Sequence, residues 1–197
     1  SENNDKETTQ KHLTINTISY PYLHHNGPAD KLLTAILGRG LRSRLFLNVR
    51  DRKGLAYSIN AVVDNFTDSG EFTIYAGVNL EKTPDAITAI LEELDIIREQ
   101  PVGEAELDKA KNQIKGGLQM SMESNSAIAD RLATQMILLD SIKSVDDTLR
   151  DIDAVSVQDV QRVARELLAP ERLRMGIISP DPSKAIKTFE QAIKGEK

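Results

Sequence analysis

Three histidines, His12, His24 and His25, are the only imidazoles in the 197-residue chain. A zinc peptidase helix needs two His and a Glu base on one face, written H-E-x-x-H or inverted as H-x-x-E-H. Neither pattern occurs, and no Glu follows His24 or His25 at either spacing, so these side chains read as loop imidazoles rather than metal ligands. The absence of Cys removes thiol catalysis, disulfides and cysteine-ligated metal centres. No G-x-S-x-G turn offers a serine nucleophile, and the GRG at 38–40 lacks the lysine and hydroxyl of a phosphate loop. Its glycines read instead as easing a sharp turn between helices. What remains is charge. Residues 39–53 carry Arg39, Arg42, Arg44, Arg50, Arg52 and Lys53 against Asp51 alone, a +5 segment in a chain of net charge −5. Such a segment is either an anion or polypeptide contact site, binding polyanions salt-sensitively, or a solvated helix whose cations complement its C-terminal dipole. On a helical wheel Arg50 falls near the edge of the Leu45, Phe46 and Val49 stripe, with Arg52 and Lys53 closer to its centre. Periodicity therefore singles out none of them.

The elements that must position these residues are legible from their patterns. Residues 13–20 (LTINTISY) are rich in β-formers, and their alternation slips phase at Asn16 and Thr17, which predicts a bulged strand. A loop over 21–28 precedes a helix written by Leu32, Leu33, Ile36 and Leu37 and ended by the Gly38 and Gly40 joint. Leu41, Leu45, Phe46 and Val49 predict a second short helix, with Gly54 at a left-handed cap. Alternation at 57–63 and again at 72–80, around a turn at 64–70, reads as a hairpin. Thr83 and Pro84 predict an N-cap and first turn for a helix facing inward through Ile87, Ile90, Leu91, Leu94 and Ile97. A broken helical pattern follows over 104–140, its first stripe Leu107, Ala110, Ile114 and Leu118, its second Ile128, Leu132, Met136 and Leu139, with a joint at 123–126. Ser156 and Asp159 then cap a helix, Pro170 stops it, 173–177 alternate as a final strand, and 183–194 form a terminal helix. Strands bunched in hairpins with helices following in runs predict an α+β fold, a two-layer sandwich with a largely antiparallel sheet and helices on one face.

Composition agrees with a globular domain: 40% hydrophobic and 28% charged residues, and no apolar run long enough to span a bilayer. The net negative charge counts against general nucleic-acid binding. The chain opens on Ser1 rather than Met, and residues 1–11 read as a polar linker ahead of one domain at 12–197, so chemistry missing here is expected upstream.

The string LGRGLRSRLFLNVRDRKGLAYSI, at 37–59, strongly resembles the M16 family (insulinase, pitrilysin and mitochondrial-processing-peptidase-like proteins), where it is written LGGGMSSRLF followed by VREKRGLAYSV. The likeness continues through LDKAKNQIKGGLQMSMESNSAIADRLA at 107–133 and IDAVSVQDVQRVARELLAPERLRMGIISP at 152–180, in order and without large gaps. It departs at Arg39, where the family carries glycine, and at Arg42, where it carries serine. The resemblance implies an α+β unit duplicated in tandem, two units forming half of a clamshell around an unfolded peptide. It further implies that zinc is held by a partner domain or subunit bearing H-x-x-E-H, and that a C-terminal, non-zinc-binding domain such as this one supplies an Arg and a Tyr. Those map onto Arg50 and Tyr57, which the resemblance casts as donors to the substrate carbonyl and oxyanion. Taken singly, Arg50 would be an ordinary surface cation and Tyr57 a partly buried strand aromatic. No metal or other cofactor is expected in this chain itself, which alone should not hydrolyse peptides. The alternative is a non-enzymatic scaffold or interaction subunit that keeps the fold. The compartment stays open between bacterial periplasm and cytoplasm.

Overall fold

The computed structural model of the chain describes residues 10–179 and 181–195. Of the expected linker, 1–9 lie outside the described residues, whereas Gln10 and Lys11 already belong to the first strand, β1 (Gln10–Ser19). Three further strands, β2 (Ala56–Asn65), β3 (Gly70–Asn79) and β4 (Arg174–Ile178), complete an antiparallel sheet in the order β2-β3-β1-β4. One face carries Leu13, Ile15, Ile59, Phe72, Ile74 and Val78, all buried. Against that face lie α1 (Gly27–Gly38), α2 (Thr83–Glu99) and α6 (Val157–Leu167), so the chain folds as α+β with helices on one side of the sheet.

The predicted bulge in β1 is absent, because its register with β3 runs unbroken from Gln10 opposite Asn79 to Ser19 opposite Gly70. Thr17 takes the inward position, and Ile18, 70% exposed, the outward one. The sequence slips in hydrophobicity there while the backbone keeps its period of two. A register shift occurs instead in β2, between Ala56 and Ser58.

Thr83 does not cap α2. It is the first helical residue, and its hydroxyl donates to the carbonyls of Asn79 (2.9 Å) and Leu80 (3.2 Å), tying the helix start to the preceding turn. The inward face of α2 packs as its spacing demands, with Ile87, Ile90, Leu94 and Ile97 almost wholly covered. Ser156 and Asp159 form a complete capping box at the start of α6.

The long broken helix divides into α3 (Glu104–Ser121) and α4 (Asn125–Leu139), where the Ser124 side chain accepts from the Ala127 N–H. The joint, at 122–124, overlaps the expected 123–126 stretch, of which Asn125 and Ser126 already belong to α4. Leu107 and Ala110 of α3 enter the core, but the α4 stripe does not: Leu132 and Met136 are exposed, and Gln135 is the buried residue of that helix. Two polar contacts tie α4 to its neighbours. Arg131 donates to Thr148 of α5 (Val145–Ala154) at 3.0 Å, and the Lys143 N–H donates to Gln135 Oε1 at 2.6 Å. Helix α7 (Ser183–Lys194) packs on α2 through Ala185 and Phe189.

Candidate functional site

Residues 46–52 wind as a π-helix rather than an α-helix (Phe46–Arg52), and that change of winding decides where the cations point. Leu45 and Val49 are buried, and Asn48 donates to Glu93 of α2 at 2.8 Å. Arg52 and Lys53, which a regular wheel sets near the apolar stripe, turn out to solvent: Arg52 donates to Asn48 (2.9 Å) and Lys53 pairs with Glu92 (2.9 Å). Arg50 is exposed as well, but its guanidinium lies over the Phe46 ring, 4.7 Å from the centroid. That contact steadies the cation while leaving its N–H donors open. The π-helix is closed by Gly54, at φ +59°, whose N–H donates to the Arg50 carbonyl at 3.2 Å, and Lys82 binds the Gly54 carbonyl at 3.2 Å from the other side. Left-handed φ at this position is cheap only for glycine.

Two residues further on, the β2 bulge begins. Ala56 pairs with Val78 and Ser58 with Gly77, so Tyr57 is the extra residue. A bulge re-aims one side chain out of the sheet's alternation. Tyr57 is accordingly 52% exposed, and its hydroxyl accepts from Asn79 Nδ2 at 3.4 Å. Arg50 and Tyr57 therefore stand on either side of the short turn at 53–55, both open to solvent. No hydrogen bond joins the two among the described residues. Of the residues that contact these side chains, Phe46 reads in the sequence only as part of the apolar stripe and the family string, and Asn79 carries no signal that marks it.

The histidines are placed apart. His12 is exposed on the open face of the sheet, whereas His24 stacks on Tyr20, with ring centroids 4.4 Å apart, and lies 4.3 Å from His25. Burial and then the neighbouring His25 push the His24 pKa down, favouring the neutral ring, and its Nδ1 accepts from the Asn26 N–H at 3.2 Å. Tyr20 donates to Glu166 at 2.6 Å, joining the end of β1 to α6, and its phenol is raised well above its usual range by burial and then by that carboxylate. Among the described residues no group of three or more His, Asp or Glu side chains is placed to hold a metal ion.

A buried carboxyl also went unmarked by sequence pattern. Asp30, in the first turn of α1, has no solvent exposure; it accepts from the Ser19 hydroxyl, and its other oxygen has no partner among the described residues. Burial pushes its pKa up to about 6.

Residues 1–114 match the family model described as the peptidase M16 inactive domain. Uncharacterized zinc proteases of Mycobacterium bovis and Mycobacterium tuberculosis are 35% identical over 180 residues, covering 91% of this chain and 40% of theirs. One from Bacillus subtilis is 33% identical over 175 residues, covering 89% of this chain and 42% of its own. The chain thus spans about two fifths of the length of these relatives. Among solved structures, a peptidase M16 inactive domain from Pseudomonas fluorescens superposes with a TM-score of 0.79 at 21% identity, over 87% of this chain and 41% of that one. A protease from Helicobacter pylori gives 0.79 at 22% identity, over 89% and 42%. The match over more than half of the chain, together with relatives above 30% identity along nearly all of it, establishes that this chain belongs to the peptidase M16 family as an inactive, C-terminal-type domain.

Proposed function

We propose that this domain binds the peptide substrate of an M16 zinc endopeptidase and completes its active site by presenting Arg50 and Tyr57 to the scissile region. The hydrolytic centre, with its zinc, belongs to another domain of the same polypeptide or to a separate subunit. The observation that carries this reading is the exposure of both donors around one short turn, with Tyr57 lifted out of the sheet's alternation by the bulge. Arg gives a fixed cation with a fork of donors, and Tyr gives a phenolic donor. Placed against a peptide carbonyl, both strengthen their hydrogen bonds as negative charge builds on its oxygen, which is the condition for lowering a barrier rather than only tightening binding. Phe46 under the guanidinium limits its rotamers and so reduces the ordering cost on substrate arrival.

The complete polypeptide, or a co-expressed neighbour, is expected to carry H-x-x-E-H. Assembled with that partner, it should cleave an unfolded peptide, and Arg50→Ala or Tyr57→Phe should each lower kcat/KM by about 2–4 kcal/mol in barrier. Unchanged turnover in both variants rejects the assigned roles. A second reading, a non-enzymatic subunit that keeps the fold, is favoured by the likeness to a chain of complex III2 from Candida albicans, with a TM-score of 0.82 at 18% identity over 95% of this chain. It is the surviving account if neither the polypeptide nor any partner carries the zinc motif.

A further inference from the structure

The basic stretch is not used up by Arg50. Its first half, at 39–43, lines a concavity of about 260 Å³ between the end of α1 and one side of α3. Arg39, Arg42 and Lys109 border it together with one carboxylate, Glu106. That carboxylate is already taken: Arg44 binds it through two parallel N–H donors at 2.8 and 2.7 Å, and this pairing raises the Arg44 pKa. Among the described residues, then, Arg39, Arg42 and Lys109 face the concavity with no carboxylate of their own.

The backbone that carries Arg39 and Arg42 is also held in place. Lys109 donates to the Arg42 carbonyl (3.4 Å) and Gln113 to the Arg39 carbonyl (3.0 Å), so α3 grips both ends of the joint. Gly117 leaves the helix surface bare where the Arg39 guanidinium rests; a Cβ there would stand 3.3 Å from its Nη2. Three cationic residues bordering one recess give it a positive potential that favours an anion. The rest of the wall is partly aliphatic, through Ala35, Ile36, Leu41 and Ala110, and partly polar, through Ser43 and Gln113. A bare inorganic ion gains nothing from such a surface, whereas a carboxylate on a short hydrocarbon stem gains from both parts. The chain's net charge of −5 opposes an extended polyanion.

We propose that this concavity is a subsite for an acidic side chain of a bound polypeptide, its methylenes against Ala35 and Ile36 and its carboxylate between Arg39 and Arg42. The inference rests on the peptide-binding reading above and names a sequence preference for it.

Equilibrium binding tests this without turnover, so failure here leaves the Arg50 and Tyr57 roles standing, and their failure leaves this subsite standing. An end-capped, fluorescent Glu-containing peptide and its Gln counterpart are titrated against the full polypeptide carrying this chain, with EDTA present to prevent cleavage. The Glu peptide should bind about tenfold more tightly, as expected for charge-assisted hydrogen bonds. That preference should shrink with added salt. It should vanish in Arg39→Gln/Arg42→Gln, weaken in Lys109→Gln, and persist in Lys187→Gln/Lys194→Gln, which removes the same charge from α7. Equal binding of both peptides overturns the proposal, as does a preference that survives the double Arg variant or is lost equally in the α7 control. A Gln peptide with a free C-terminus that binds as tightly as the capped Glu peptide would assign the site to a chain end and overturn the side-chain assignment. Displacement of the Glu peptide by inorganic phosphate as readily as by glutamate would make it a general oxyanion site, with the same consequence.

Discussion

Two carboxylates couple the fold to protons with opposite signs. Asp159 accepts from Ser156 and Arg162, which hold its pKa down at about 2, so its contribution is present near neutrality and lost as the pH falls through that value. Asp30 behaves in reverse. Burial lifts it from 3.8 to about 6, so between those values the folded chain keeps a proton that the unfolded chain has released. Its favourable contribution is complete below 3.8 and is lost as the pH rises through about 6. Asp30→Asn, which mimics the protonated form, should therefore be more stable than the parent by about 2–3 kcal/mol above neutrality, with the gap closing toward pH 4. Urea denaturation across that range reads it directly, and a gap that does not vary with pH would show Asp30 to be ionised throughout. Sequence could not have shown this: an Asp in a first helical turn ordinarily serves the helix dipole from solvent, and only packing against Ser19 seals it in.

At the level of elements, the glycine joint divides its work between two residues. Gly38 lets α1 touch β2, since a Cβ there would lie 2.1 Å from the Ala61 nitrogen, whereas Gly40 makes the turn at φ +88°. Gly38→Ala must push backbone from backbone and should cost about 2–3 kcal/mol, more than Gly40→Ala at about 1 kcal/mol. Equal midpoints for the two variants would contradict that division. The capping box is separable from both: Ser156→Ala should cost about 1 kcal/mol, read by the same denaturation measurement, while leaving the joint untouched. Helix α6 and its cap were legible because capping is local chemistry within four residues. The π-helix was not, because its winding answers to what holds it, namely the buried Leu45 and Val49 and the Asn48 bond to Glu93 forty-five residues away. The bulge was misplaced for a related reason: hydrophobicity slips in β1, but pairing slips in β2.

Across the whole molecule, the sheet with α1, α2 and α6 carries the core while the α4 stripe stands outside it. Replacing Leu132 and Met136 together by Gln should change stability by less than about 0.5 kcal/mol. Leu94→Ala, beneath the sheet, should cost about 2–5 kcal/mol. Thermal or urea midpoints compare the two, and a large loss from the α4 pair would mean that the stripe is core after all. By itself the amino-acid sequence determined the fold class and the order of most elements, because periodicity, caps and turns are properties of neighbouring residues; its likeness to the family, and not any periodicity, is what pointed to Arg50 and Tyr57 as residues to watch. Only the tertiary structure decided that Asp30 is sealed, that the α4 stripe is uncovered, that Tyr57 leaves the sheet through a bulge, and that Arg39 and Arg42 meet Lys109 around one recess. Each of those depends on contacts between distant segments, and charge, exposure and solvation at a site are set by what folds against it.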